Sequence, residues 1–223
     1  MPVSIESAAP SPLPPAAPLS HAQRRLLDAA GEVFAERGFQ DATVREICQR
    51  ANTNIAAVNY YFRDKRGLYT AVLRYAHEWA MKKHPPDLRP GPPAQRLHAF
   101  VASLLARVLD EGRVAWHGKL MAREMMQPTP ALDALVAERI RPLFEQLAGI
   151  VRELLGGRAG EETVRLCTLS VVGQCLHYHH ARPVIARLHP RQRYRARDIA
   201  RLADHITAFS LAAVKGLRNG DGR

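Results

Sequence analysis

From residue 20 onward the apolar positions recur every three or four residues, and no stretch alternates as a half-buried strand does. Leu26, Leu27, Ala30, Val33 and Phe34 form a first stripe, capped by Ser20 and stopped near Arg37 by Gly38, with Phe39 turned back onto it. Val44, Ile47, Cys48 and Ala51 form a second, shorter one; Thr43 caps it, and Glu46 three residues on completes a capping box. Asn52-Thr53-Asn54 breaks that helix, because Asn accepts the left-handed backbone of a tight turn and Asn54 can cap a further helix. That next helix runs from Ile55 to about Tyr61. It is small on one side (Ala56, Ala57) and polar or aromatic further on, at Asn59, Tyr60 and Tyr61. From Lys65 the stripe Leu68, Tyr69, Val72, Leu73, Ala76, Trp79 predicts a long helix ending before Pro85-Pro86.

The stretch His84 to Pro93 has no apolar period and is rich in proline, so it marks a boundary. Beyond it lie a stripe of Leu97, Phe100, Val101, Leu104 and Val108, ended by Gly112, and a short helix from Trp116 to Met126, stopped by Pro128. Thr129-Pro130 opens a long helix to Leu155 with Leu132, Leu135, Ile140, Leu143, Leu147, Ile150 and Leu154 inward. Pro142 inside it should kink it, and Gly156-Gly157 stops it. Two more helices span Glu161 to about His180 and Ala196 to about Leu217. The last carries Ile199, Leu202, Ile206, Phe209 and Ala213, a seam that suits antiparallel packing of helix pairs between two subunits, with the core of one chain as the alternative. Residues 1–19 are rich in Pro, Ala and Ser and hold no Lys or Arg, which predicts a disordered arm. The expected fold is all-α, divided into the arm (1–19), a three-helix unit (20–66), a connecting helix (67–84) and a second helical bundle (94–219).

A short helix pair joined by a tight turn, with small residues and Asn and Tyr on the second helix, can enter the major groove of DNA. The same pattern also describes an ordinary helical hairpin with a solvated second helix. The residues Leu26-x-x-Ala-Ala-x-x-Val-Phe-Ala-Glu-Arg-Gly-Phe39, Ala42-Thr43-Val-Arg-Glu-Ile47, Ala51 through Asn59-Tyr-Tyr-Phe62 and Asp64-Lys65-x-Gly-Leu68-Tyr69 resemble the N-terminal domain of TetR-type transcriptional repressors. The resemblance runs over about 50 residues without a gap; Asn52 departs from the usual Gly of the turn. It implies a helix-turn-helix DNA-binding domain over 20–66. By motif match it implies DNA-facing roles for Thr43, Asn54, Ala56, Ala57, Asn59, Tyr60 and Lys65. Thr43, Tyr60 and Lys65 fit phosphate, and Ala56, Ala57 and Asn59 fit base edges. Arg45 either reaches a phosphate or lies on a solvated face, and sequence does not settle which tyrosine of the pair faces DNA.

The net charge of +11 fits an anionic partner but does not place it. Seven Arg and one Asp fall between Arg182 and Arg201, read as a second DNA contact, a solvated basic loop, or an attraction to an acidic ligand or partner subunit. The three cysteines, at 48, 167 and 175, make no metal or redox spacing, no apolar run is long enough to cross a bilayer, and the N-terminus does not read as a secretory signal; these point to a cytoplasmic protein. No phosphate-binding Gly loop with Lys-Ser/Thr, HExxH motif or nucleophile elbow occurs, so an enzyme is not expected.

Arg141-Pro-Leu-Phe144 and Gly173-Gln-Cys-Leu-His-Tyr-His-His-Ala-Arg-Pro183 are similar to the C-terminal domain of the CecR-type subgroup of TetR-like repressors. That resemblance covers roughly 120 residues. It implies a ligand-binding and dimerisation domain, a homodimer on a palindromic double-stranded operator, and an unidentified small-molecule effector. Candidate pocket residues, chosen by chemistry, are Trp116, His117, Met121, Met125, Gln174, His177 and Tyr178, with Arg123 and Glu124 as a solvated face or further polar contacts. The dimer seam is expected through Leu202, Ile206, Phe209 and Ala213. His177 and His180 share a helix face without a carboxylate or thiolate in register, so no metal or other cofactor is expected. Two rival classes are a helical small-molecule or metal-binding protein without an operator, and an architectural DNA-binding protein.

Overall fold

The computed structural model describes residues 19–86, 89–109, 116–157 and 159–220, with residues 219 and 220 described by backbone alone. Apart from Leu19, the arm lies outside the described residues, as does the Gly112 stop. The chain forms α1 (His21–Asp41), α2 (Val44–Arg50), α3 (Ile55–Phe62), α4 (Lys65–Lys83), α5 (Pro93–Leu109), α6 (Trp116–Met126), α7 (Pro130–Leu135), a π-helical turn Val136–Ile140, α8 (Arg141–Leu155), α9 (Glu161–His180), α10 (Arg182–Leu188) and α11 (Ala196–Gly220). No strand occurs among the described residues.

Gly38 takes φ +81, which ends the regular part of α1. A Cβ there would meet only the movable end of the Arg123 side chain of α6, so glycine is needed for its conformation rather than for space. Phe39 turns back as expected, stacking on Phe34 at 6.3 Å and lying 5.0 Å from Tyr69. Pro142 sits at the start of α8 directly after the π-helical turn. A proline there cannot donate its backbone N–H, and the expected kink takes the form of a widened turn. The Arg-rich segment, to which the apolar pattern assigns no element, holds the short helix α10.

Among the described residues two apolar cores form. The first gathers Leu26, Leu27, Val33 and Phe34 of α1, Ile47 and Cys48 of α2, Val58 and Phe62 of α3, and Leu68, Tyr69, Val72 and Leu73 of α4. It also takes Trp116 and Leu120 from α6 and Ala131 from α7, so these elements pack on the N-terminal half. Close approach of α6 to α1 depends on Gly31, where a Cβ would strike the Trp116 indole. The second core joins α5, α8, α9 and α11 through Leu97, Val101, Leu105, Leu147, Val151, Val171, Cys175, Ala203 and Ile206. The stripe of α5 is turned slightly from the expected one: Leu105 and Leu109 are fully buried and Leu104 and Val108 only partly.

Where α4, α6 and α7 meet on the first core lies a buried carboxylate. Glu124 is fully enclosed, not on a solvated face. Tyr69 donates its O–H to Glu124 Oε2 at 2.6 Å, while Thr129 donates its N–H and Oγ1–H to Oε1 at 2.8 and 2.9 Å. Burial and the neighbouring carboxylate push the Tyr69 phenol well above its ordinary pKa, so it stays a donor. One side chain thus ties α4, α6 and the cap of α7. Tyr69→Phe should therefore lower stability by about 1–3 kcal/mol, the cost of a buried acceptor left without its donor. Urea denaturation reads this, and an unchanged midpoint would show that Glu124 does not depend on the phenol.

Candidate nucleic-acid interface

Helix α2 is held by charge as much as by its buried Ile47 and Cys48. Thr43 Oγ1 accepts the Glu46 N–H at 3.2 Å, as the cap requires. The other half of the expected box does not form. Glu46 instead pairs with Arg37 at 3.0 Å and Arg50 at 3.1 Å, because two guanidiniums offer stronger bonds than one backbone N–H. Arg50 also bridges to Glu36 of α1 at 2.7 Å, and that bond holds the Glu36 carboxyl below its ordinary range. The complete capping box belongs to α1, where Ser20 and Gln23 exchange bonds of 2.8 and 3.2 Å.

The turn after α2 takes the conformation expected of it. Asn52 has φ +48, and Thr53 donates its N–H to the Cys48 carbonyl at 2.9 Å. Asn54 Oδ1 then accepts the Ala57 N–H at 3.0 Å and starts α3, so that oxygen is spent on the cap. Val58 and Phe62 face inward, and Ile55, Ala56, Asn59, Tyr60 and Arg63 form the outer face. Ala57 is half-buried against the first core. Of the tyrosine pair, Tyr60 points out, 83% exposed, while Tyr61 packs on the core. Ile55, half exposed at the start of the same face, was not singled out by the sequence, where an apolar residue reads as inward.

Lys65 opens α4 beside this face. Its Nζ donates to the Gln40 carbonyl at 2.9 Å and lies over the Phe39 ring, and burial lowers its pKa. It clamps α4 to the end of α1 as well as carrying charge. Arg37 and Arg50 are engaged with carboxylates, whereas Arg45, Arg63 and Arg66 are exposed with no carboxylate partner among the described residues. The outer face of α3 is thus uncharged and flanked by three uncompensated cations, the arrangement in which charge holds phosphate and neutral groups meet base edges.

The residues expected to line one ligand pocket separate into two groups. Trp116 is buried in the first core with Met121 packed against it, because α6 docks on α1 and α4. His117 lies between the Trp79 and Trp116 rings, at 5.2 and 4.2 Å, and Met125 is exposed. Gln174, His177 and Tyr178 instead line a shallow groove of about 340 Å³ between α9 and α11, with His205 and Ile206. Gln174 donates to Ser210 of α11 at 3.3 Å. Burial, with Arg107 and Arg139 nearby, pushes His77 down to about 4, and burial takes His117 to about 4, so both imidazoles are neutral at pH 7. No cluster of His, Cys, Asp and Glu able to hold a metal occurs among the described residues.

The expected dimer seam is also divided. Leu202 and Ile206 are buried in the chain's own second core, while Phe209, 60% exposed, and Ala213 face outward. A helix packed against α5 and α8 has only its remaining face to offer, and that face is rotated from the stripe read in the sequence. Leu217 shares it, and Leu166 and Leu169 of α9 are exposed as well.

Helix-turn-helix geometry of this kind, set on a second bundle of helices, defines a class of DNA-binding regulators. Residues 26–72 match the model of bacterial regulatory proteins of the tetR family. Residues 93–214, more than half the chain, match the C-terminal domain of the HTH-type transcriptional dual regulator CecR. The chain belongs to the TetR family of bacterial transcriptional regulators, in the branch with a CecR-type C-terminal domain. It is 28% identical over 178 residues to the HTH-type transcriptional dual regulator CecR of Shigella flexneri, covering 74% of this chain and 78% of that one. In fold it is similar to a TetR-like transcriptional regulator from Rhodococcus sp. RHA1, with TM-score 0.63, 21% identity, and 88% and 98% of the two chains covered. It is equally similar to AibR in complex with isovaleryl coenzyme A and operator DNA, with TM-score 0.63, 16% identity, and 85% and 97% covered. No helix among the described residues is long and apolar enough to cross a membrane.

The left-handed turn gives a direct test of the reader's architecture. Asn52→Ala should cost about 1 kcal/mol, the penalty of a Cβ at positive φ without the local bonding of Asn, while Asn52→Gly should be close to neutral. Thermal unfolding of the two variants measures this; equal losses would mean that the turn is not held left-handed.

Proposed function

We propose that the protein is a homodimeric, ligand-responsive repressor that reads a palindromic operator with α3. The observation that carries this is the outer face of α3, with Ala56, Asn59 and Tyr60 exposed and Arg45, Arg63 and Arg66 around it. In this reading residues 20–66 form the DNA-binding domain, 67–84 the connecting helix, and 94–219 the effector-binding and dimerisation domain. Asn59 and Ala56 meet base edges, with Ile55 beside them offering an apolar contact to a thymine methyl. Tyr60, Thr43 and Arg45 hold phosphates. Asn54 keeps only its amide N–H groups for DNA, Ala57 serves as a spacer, and Lys65 adds its charge from its perch on Gln40. Two reader helices about one turn of DNA apart require a two-fold dimer. The exposed apolar groups of α9 and α11, Leu166, Leu169, Phe209 and Leu217, supply the surface for it. A cytoplasmic location follows from an operator as target. AibR, solved with an acyl coenzyme A and operator DNA, is a precedent for one protein of this fold engaging both kinds of ligand.

Selection of bound fragments from genomic DNA by the purified protein, at near-physiological salt, should return a short two-fold symmetric site. Fragments sharing no sequence would favour an architectural protein, and no bound DNA beside tight small-molecule binding would favour a sensor without an operator. On that site Asn59→Ala should relax preference at one base pair per half-site by about 1–3 kcal/mol. Arg45→Ala should weaken all sequences alike and reduce the salt slope by about one.

Phe209→Glu should convert the dimer to monomers in sedimentation, because a charge would be buried on both sides of the two-fold axis. A surviving dimer would remove α11 from the interface.

A further inference from the structure

Three buried polar atoms meet where α4, α5 and the π-helical turn come together beside α9. His77 Nδ1 of α4, Arg107 Nη2 of α5 and Arg139 Nε of the π-helical turn are each enclosed, with no hydrogen-bond partner among the described residues. The three side chains are neighbours: after burial itself, the Arg107 and Arg139 guanidiniums are what hold the His77 imidazole neutral. The rest of Arg107 is anchored, since its Nη1 donates to the His84 carbonyl at 3.1 Å and to Ser103 Oγ. Glu138, next to Arg139 in the chain, is committed to Arg74, whose Nε–H it accepts at 2.9 Å. On the α9 side Cys175 lies fully buried beside Arg107. Burial pushes its thiol up to about 12, so it brings no charge there at pH 7.

We infer that this junction binds the carboxylate of a small organic acid, its two oxygens bridging Arg107, Arg139 and the His77 Nδ1–H. Buried donors without acceptors are costly, and two guanidiniums brought close to each other repel. Water would accept the N–H groups but leave the repulsion, whereas an anion answers both. A carboxylate has two oxygens and room for about four bonds, enough to serve donors arriving from three elements. A doubly charged phosphate would cost more to take out of water, and a neutral carbonyl would leave both charges standing.

This assigns a ligand class to the effector-binding domain of the proposed repressor, and its consequence for DNA rests on that reading; occupancy does not. The site spans the joint between the connecting helix and the bundle. His77 lies on α4 itself, and Arg107 also grips the end of α4 through the His84 carbonyl. A bound carboxylate draws α4, α5 and the π-helical turn together at a point where their own charges push apart.

Saturation-transfer NMR on the full-length protein tests this with acetate and acetamide, which share size and shape and differ in charge. Acetate should bind saturably and at least about tenfold more tightly than the amide, as charge-assisted bonds imply. Arg139→Met should weaken acetate binding by about tenfold or more. Without acetate, its urea midpoint should be no lower than that of the unchanged protein, because the Nε–H it removes has no acceptor in the chain. Arg107→Gln should lose acetate in the same way, while Arg141→Met, at the exposed start of α8, should keep it. The assignment is overturned by an absence of saturable acetate binding, by equal affinity for acetamide, or by full binding to folded Arg139→Met. Equal displacement by chloride, which has no second oxygen to bridge with, would also overturn it, as would a lowered midpoint for Arg139→Met. Operator affinity measured on the same samples separates the two questions. Acetate that binds without changing operator affinity leaves the carboxylate site standing and removes its role as effector control.

Discussion

Glu124 is the joint on which the packing of α4, α6 and α7 in the first core depends. A carboxylate removed from water is tolerated only when its oxygens are met by donors, and here three donors from two other segments converge on it. Because Tyr69 belongs to α4 and Thr129 caps α7, satisfying Glu124 fixes the positions of α4, α6 and α7 together. Thr129 is doubly committed, as its Oγ1 also accepts the Ala131 N–H at 3.2 Å. Around this polar point the apolar contacts are specific in shape: Phe34 meets Tyr69 edge-on at 4.8 Å, and Trp116 fills the space left by Gly31. An apolar core alone would hold these helices with less definition of register; the buried hydrogen bonds admit one arrangement.

The same logic of spent and unspent groups separates scaffold from surface in the reader. Glu36, Glu46, Arg37 and Arg50 neutralise one another between α1 and α2. They are partly exposed, so each pair adds little energy singly, but as a network they orient α2 under the turn. The groups left uncompensated are therefore informative. Arg45, Arg63 and Arg66 have no carboxylate partner among the described residues, and they surround the neutral face of α3. Arg63 holds φ +71 at the end of α3, a positive-φ conformation that a bulky residue adopts at a cost and that turns the chain into α4.

The reader was legible in the sequence because its determinants are local. Thr43, Asn52 and Asn54 each cap or turn the chain within three residues, and the apolar spacing fixes which side of α2 and α3 is buried. Sequence could not supply which partner a group chooses when several are in reach. Glu46 has the spacing of a capping box, but folding brings Arg37 to it from α1. Glu124 looks like a surface charge beside Arg123, yet α6 lies with that face against α4. Leu202 and Ile206 share a stripe with Phe209, but α5 and α8 cover only part of it, so one stripe serves the core and the rest stays outside. The pocket residues show the same limit: Trp116 and Gln174 have suitable chemistry, and only tertiary packing sends them to different neighbours. The Arg-rich run was visible as composition, but its short helix α10 was not, because no apolar period marks it.

These features converge on α4. Its 19 residues make a rod about 28 Å long, stiff over the few ångströms that matter for half-site spacing. At one end Asp64 caps it, accepting the Gly67 N–H at 2.8 Å, and Lys65 clamps it to α1. Near its middle Arg74 is bidentate on Glu138 of the π-helical turn, with His77 one turn further on. At the far end His84 is gripped from α5. In the proposed mechanism, a ligand that favours one setting of the far end over another shifts the reader by the difference in its affinity for the two, and by nothing else. A coupling of about 1–3 kcal/mol changes operator affinity by some 5–150-fold, and a few hydrogen bonds remade at His84 and Arg107 are of that size. The π-helical turn that Arg74 reaches departs from the α-helical ladder, and none of its described residues belongs to either apolar core. In that mechanism a rod held at both ends would carry a displacement of its far end to the short outer face of α3 rather than absorb it.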